Sequence, residues 1–120
     1  MTRLVCMKKQ IRKRNNMKSG TIELVLLTLL QDGEKYGYQL AQELEEFSEH
    51  KYELKEATMY PTLYRLTQNG YLVDRQVKVG PRRTRVYYSI TLEGKQYLQH
   101  LIDEYFSVTE AVNMILESVK

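Results

Sequence analysis

Residues Glu56–Leu72, EATMYPTLYRLTQNGYL, constrain the fold more than any other stretch. Met59, Leu63 and Leu66 recur at steps of four and three, so a helix gathers them on one face. Thr58, Thr62, Arg65, Gln68 and Asn69 fall largely elsewhere on it. Asn69–Gly70 supplies the stop, because glycine tolerates the positive φ at which helices reverse. A proline costs little within the first turn, where its missing N–H has no partner anyway. Pro61 therefore predicts a helix that starts a residue or two before Tyr60, or bends there. A short helix with an apolar underside and a polar outer face bearing Arg and Tyr is what a major groove accepts. An ordinary surface helix can carry the same pattern.

The adjoining stretch separates the two readings. Tyr71–Val79 and Thr84–Ile90 are rich in Val, Ile, Thr and Tyr, the residues of strands. Between them Gly80–Pro81–Arg82–Arg83 reverses the chain and puts two positive charges at the tip. Arg75, Lys78, Arg82, Arg83 and Arg85 against Asp74 give this hairpin a net +4. A helix followed by a basic hairpin is the winged-helix arrangement, in which wing arginines lie on phosphates or enter the minor groove. The expected fold is mainly α with a small β-hairpin: a winged helix-turn-helix plus a long C-terminal dimerisation helix.

Charge is strongly segregated beneath a net value of +3. Residues 1–18 carry seven bases and no acid, and residues 19–56 carry three bases against nine acids. The final residues 91–120 carry two bases against five acids. Positive charge is thus placed on an N-terminal arm, the short helix and the wing, a pattern suited to a polyanionic partner. At 120 residues the chain is one domain with an appended helix. Its single Cys6 excludes a disulfide framework and fits a reducing, cytoplasmic setting. Neither His50 nor His100 makes a metal pattern with it.

The chain divides into a basic arm (1–18), a winged helix-turn-helix domain (19–90) and a C-terminal helix (91–120). The arm reads either as a DNA-binding extension or as a segment upstream of a start at Met17. Ile22–Leu30 is too short, and too interrupted by Glu23 and Thr28, to span a bilayer, so no membrane partner is expected. Ser19–Leu30 reads as a helix capped by Ser19 or Gly20. It is apolar nearly all round, so it needs cover on two sides, one of them naturally a second subunit. Gly37–Ser48 reads as the next helix, with Leu40, Ala41, Leu44 and Phe47 as its buried stripe. Tyr38, near its start, fits a phosphate contact or a half-buried packing role equally. The acidic group Glu45, Glu46 and Glu49 with His50 reads as a solvated face and not as a metal site. From Thr91, a plausible N-cap, the residues Leu98, Leu101, Tyr105, Val108, Val112, Ile115 and Val119 form a heptad seam over about three repeats. Such a helix protrudes from a domain this small and calls for another chain to cover its seam; the alternative is a long helix folded back on its own core.

The strings Leu26–Leu30, Tyr36–Gly37–Tyr38–Gln39–Leu40, Ala57–Thr58–Met59–Tyr60–Pro61–Thr62–Leu63–Tyr64–Arg65–Leu66, Asn69–Gly70–Tyr71–Leu72, Arg82–Arg83 and Tyr87–Tyr88–Ser89–Ile90–Thr91–Leu92–Glu93–Gly94 together resemble the PadR family of bacterial transcriptional regulators, in its short form with one C-terminal helix. The resemblance implies a cytoplasmic, homodimeric winged-helix repressor that reads an inverted repeat in double-stranded DNA. It places Thr58, Tyr60, Pro61, Tyr64 and Arg65 on the DNA side, with Arg82 and Arg83 on the wing; Thr62, on the same edge as Thr58, and Arg85, a charge of the hairpin, join them as candidate DNA contacts from the residues themselves. It assigns dimerisation to the first helix, through Leu26, and to the long helix. Some members of the family sense small aromatic or cationic inducers between subunits, stacked on an aromatic of the long helix. Tyr105, with Phe106 beside it, occupies that place here, although Tyr105 is also a packing position of the seam.

Two other function classes can be weighed. A winged helix can serve as a protein-interaction module that does not bind DNA, but an acidic or apolar recognition face would mark it, and here that face is polar. Catalysis is not expected, and neither is a cofactor. No nucleophile–base pair, phosphate-cradling glycine loop or metal spacing is present.

Overall fold

A computed structural model describes residues 16–119. Most of the basic arm, Arg3 to Arg14 included, lies outside the described residues. Helix α1 is a single turn, Asn16–Ser19, and α2 runs Ile22–Leu29. The expected cap at Ser19 or Gly20 is corrected to Thr21. The Thr21 hydroxyl does not cap the helix; it donates to the Lys18 carbonyl at 2.7 Å and meets the Tyr52 hydroxyl at 2.9 Å. A short 3-10 turn, Leu30–Asp32, ends at Gly33 and leads into strand β1, Lys35–Tyr36. Helix α3 spans Gly37–Phe47 and the recognition helix α4 spans Glu56–Gln68. Strands β2, Leu72–Gly80, and β3, Arg83–Ile90, form the wing, and α5, Leu92–Ser118, closes the chain.

The sheet has three strands in the order β1-β3-β2, all antiparallel. Two-residue β1 was not anticipated: Lys35–Tyr36 is too short to show alternation, and it is recruited by pairing with Tyr88 and Tyr87. Gly80 pairs with Arg83, with a register shift between Lys78 and Gly80, so the turn itself is only Pro81–Arg82. Arg83 therefore stands on a strand and Arg82 at the tip.

Leu26, Leu27, Leu30, Leu40, Met59, Leu63, Leu66, Leu72 and Leu98 are sealed in one core between the helices and the sheet. Leu26, Leu27 and Leu29 of α2 find cover within the same chain, whereas Leu24 and Val25 are only partly covered. Two side chains depart from the expected pattern. Phe47, placed on the buried stripe of α3, is 65% exposed, because the core ends at Leu44 one turn earlier. Leu54, in the loop before α4, is buried instead.

The stop of α4 matches its sequence closely. Gly70 has φ +82°, its N–H bonds to the Thr67 carbonyl at 3.1 Å, and the Tyr71 N–H reaches the Leu66 carbonyl at 2.9 Å. This is the Schellman arrangement. The start differs from expectation, for α4 begins at Glu56 and so carries Pro61 as its sixth residue. The proline forfeits only the bond to the Ala57 carbonyl, and Ala57 is exposed to water.

The wing and α5 are joined tightly. Thr91 caps α5: its hydroxyl accepts from the Gly94 N–H at 3.0 Å and donates to the Gly70 carbonyl at 2.7 Å. The Thr91 N–H bonds to the Tyr71 carbonyl at 3.1 Å. Gly94 packs directly on that carbonyl, where a Cβ would collide with it. One turn on, the Tyr97 ring stacks on Tyr71 with centroids 4.1 Å apart and planes within 5°. The 27 residues of α5 span about 40 Å, within a molecule of 59 × 32 × 24 Å. Its apolar side is covered at Leu98, half covered at Leu101 and Ile102, and open beyond.

Candidate nucleic-acid interface

Burial of Met59, Leu63 and Leu66 fixes which side of α4 faces out. Successive residues turn by about 100°, so Ala57, Pro61, Tyr64 and Gln68 point directly away from the core. All four are exposed, Tyr64 at 65%. Tyr60 lies on one flank, toward β1 and the wing, with its ring against Gly37, where a Cβ would collide with it. Partial burial, and then the charge of Glu56, raise the Tyr60 pKa above its ordinary value, so its hydroxyl stays protonated and able to donate. Thr58 and Arg65 lie on the other flank, beside the start of α2.

Thr62 is corrected. It is 3% exposed and its hydroxyl donates to the Thr58 carbonyl at 2.9 Å, so it has neither surface nor hydrogen to offer DNA. Its wheel position borders the apolar stripe. Ala57 was missed as a member of the outward face, and Gln68, read as lying off the apolar stripe, was not assigned to the DNA side. The signal was available, since both lie opposite the Met59–Leu63–Leu66 stripe.

The wing supplies the charge. Among the described residues, no carboxylate lies within ion-pair distance of Arg82, Arg83 or Arg85. Arg85 lies over the Tyr36 ring at 4.4 Å, and Tyr36 meets Tyr87 edge-on at 5.5 Å. That stack holds the guanidinium by its face and leaves its edge N–H groups usable. Arg75 differs. Its Nε donates to Glu34 Oε2 at 2.8 Å, its second nitrogen bonds the other oxygen, and it lies over Tyr87. Of the five wing cations, this one is neutralised within the chain. The hydrogen bond from Arg75 holds the Glu34 carboxyl below its ordinary value.

A cleft of about 550 Å³ runs between α4 and the wing, lined by Tyr36, Tyr38, Tyr60, Arg83, Arg85 and Tyr88. Tyr38 is exposed at its rim and its hydroxyl accepts from Gln42 Nε2 at 3.1 Å, which favours the contact role over packing. Lys35, on β1, is almost wholly buried and pairs with Glu43 at 2.6 Å, so it is not part of the basic surface. A lysine next to an expected helix start gives no sign in sequence of such burial.

The seam residues divide. Leu26 is 0% exposed and Leu98 1%, so both belong to the core of this chain and have no surface for a partner. Tyr105, Val108, Val112, Ile115 and Val119 are exposed, as are Met114 and Leu116. Tyr105 and Phe106 touch edge-on at 5.4 Å but open to different sides. Tyr105 lines a cleft of about 890 Å³ with Leu24, Tyr52, Leu101, Val108 and Val112. Phe106 faces a shallow groove with Met114 and Asn113. Among the described residues no group of His, Cys, Asp and Glu is placed to hold a metal, and no helix is long and apolar enough to cross a membrane.

Comparison with known proteins agrees with this geometry. The Transcriptional regulator PadR-like family matches residues 26–100. A transcriptional regulator of Mycobacterium tuberculosis is 42% identical over 68 residues, 57% of this chain and 61% of that protein. The structure of a transcriptional regulator from Clostridium thermocellum superposes with a TM-score of 0.78 at 28% identity, covering 82% of this chain and 96% of that one. The Bacillus subtilis regulator PadR, in complex with operator DNA, superposes with a TM-score of 0.64 at 28% identity over 68% of this chain. This chain spans 46% of that longer one. Matched in sequence through the recognition helix and wing, and in fold to winged-helix regulators, this chain belongs to the PadR-like family of transcriptional regulators.

Proposed function

We propose that the chain is a sequence-specific DNA-binding repressor that acts as a homodimer on an inverted repeat. One observation carries this reading. The outward face of α4 (Ala57, Pro61, Tyr64, Gln68) stands beside a wing whose Arg82, Arg83 and Arg85 have no acid partner among the described residues. Phosphate neutralisation by those arginines supplies most of the affinity, and α4 supplies the discrimination. Tyr60, with Tyr38 across the cleft, has a hydroxyl suited to a phosphate oxygen.

A homodimer is inferred from the bare apolar half of α5, with Tyr105, Val108, Val112, Ile115 and Val119 as its surface. It sets two recognition helices about 34 Å apart, one duplex turn, or a multiple of it. A small aromatic or cationic inducer would sit against Tyr105. It would release DNA by favouring a dimer whose two wings no longer match that spacing, because a ligand shifts an equilibrium only through unequal affinity for two states.

The test is a titration of the purified chain into labelled duplex from upstream of its own gene and into random duplex, at low and moderate salt. The expected result is binding to the first about 10³-fold or more tighter than to the second. Replacing Arg82 and Arg83 together by Ala should weaken both and reduce the salt slope by roughly 1.8, two phosphates' worth. Equal binding to both duplexes would argue for an architectural role. No binding to either would favour a winged helix that engages protein instead.

A further inference from the structure

The recognition helix is tied to the long helix through one acid. Glu23, in the first turn of α2, receives the Tyr97 hydroxyl on Oε1 and faces Arg65 Nη2 with Oε2 at 4.0 Å. Each partner lies on a different element: Tyr97 on α5, Arg65 on α4. Tyr97 itself is rigidly seated, stacked on Tyr71 at the root of the wing. Arg65 is not. Its guanidinium is largely exposed and lies at the edge of ion-pair range, beside a polar cleft with Thr58 and Pro61. Burial, and then the bond to Glu23, push the Tyr97 pKa up to about 12, so at neutral pH Tyr97 is a hydrogen donor and Glu23 an acceptor.

We propose that Glu23 is a positioning residue for DNA reading: its carboxylate, oriented by Tyr97, sets how far the Arg65 guanidinium is held back from DNA and so couples the seating of the long helix to affinity. The inference rests on the DNA-binding reading above. The geometry gives it a sign. While Tyr97 occupies one oxygen, Glu23 is held short of full contact with Arg65, and Arg65 can swing to a phosphate. Were α5 to shift and withdraw Tyr97, the freed carboxylate would close on Arg65 and take its charge out of the interface. A movement of the long helix would thereby reach the DNA face through two side-chain contacts.

The experiment is a set of binding titrations on random duplex across a salt series, with single and paired variants of the full chain. Glu23→Gln keeps an acceptor for Tyr97 but removes the charge; affinity should rise about three- to tenfold and the salt slope should steepen by a fraction of the roughly 0.9 that one full phosphate contact is worth. In an Arg65→Ala background the same change should leave affinity and slope unaltered. Tyr97→Phe keeps the ring that stacks on Tyr71; it should weaken binding about two- to threefold by freeing the carboxylate for Arg65, and should do nothing once Glu23 is Gln. A Glu23→Gln gain that persists undiminished without Arg65 would overturn the positioning role, leaving only a general charge effect. So would a Tyr97→Phe loss that persists beside Glu23→Gln. If the unaltered chain bound no DNA, the DNA reading would fail and this inference with it, an outcome distinct from the other two.

Discussion

The two ends of the molecule solve the problem of burying apolar surface in different ways. At the wing end, every large apolar residue of α4 that belongs to the stripe is covered by the chain's own core, and the apolar residues left outside, Ala57 and Pro61 on α4 and Val73 and Val79 on the wing, are scattered among aromatic, polar and cationic ones. At the far end of α5, Tyr105, Val108, Val112, Ile115 and Val119 keep their seam spacing and are left bare. A contiguous apolar stripe of this length is rare on a monomer and marks a contact surface. The first region is closed by its own chain; the second is left open by it. The joint between them, Tyr71–Thr91–Gly94–Tyr97, is interlocked by hydrogen bonds and a ring stack.

The largest effect should come from charging the bare stripe. On the proposed dimer, Val112→Asp strands a carboxylate in an apolar contact in each subunit, at a cost of several kcal/mol. Sedimentation should then report a monomer, with the dimer dissociation constant raised by about two orders of magnitude or more. The fold of the wing end should be intact, with a normal far-UV spectrum. A dimer that survives would mean that the stripe is covered by something other than its own copy.

The joint should come next. Gly94→Ala puts a methyl group into the Tyr71 carbonyl, which is backbone and cannot step aside. Overpacking of this kind costs about 2 kcal/mol or more, or roughly 10 °C in the melting temperature of a domain this size. The loss should appear in monomeric Val112→Asp protein as well, because the joint is internal to one chain. A melting temperature within a degree of the parent would show that α5 can slide on the wing root, and would undo the contrast between a rigid joint and an incomplete tip.

Where the sequence spoke through periodicity it spoke plainly. The apolar stripe of α4, its stop at Gly70 and the Thr91 cap are local patterns, and each stands in the fold as read. The seam residues share one side of α5, but the first of them, Leu98, is taken up by the chain's own core. A heptad repeat says which residues share a face, but not where along that face the chain's own core stops. Leu98 lies over α2 and is consumed internally, whereas Val108 lies beyond its reach. Leu26 fails for a related reason: an all-round apolar helix demands cover, and the sequence cannot say whose. Contacts across the fold were not legible at all. Glu34 is 41 residues from Arg75 and Glu23 is 74 from Tyr97. None of these residues stands out in a pattern of its own, and only the fold brings them together.

The smallest effect tests the one wing cation that the chain keeps for itself. Arg75 is held in a two-pronged bond to Glu34 on the turn before β1, so it anchors the wing and should not contact phosphate. Glu34→Gln should release it. Random duplex should then bind about two- to threefold tighter, with a slightly steeper salt slope, while the melting temperature falls by only about 1 °C, since the pair is exposed. The pH dependence has a definite sign. The folded Glu34 carboxyl lies below its ordinary value of 4.5, so its contribution is fully present above that value and is lost as pH falls through the lower folded one. The difference in melting temperature between parent and Glu34→Gln should therefore be flat through neutral pH and shrink only below about 4.5. A gain in DNA affinity without that loss in acid would mean that Glu34 repels DNA directly and that Arg75 was never its captive. The loss in acid without the gain would leave Arg75 an anchor whose charge lies too far from the duplex to matter.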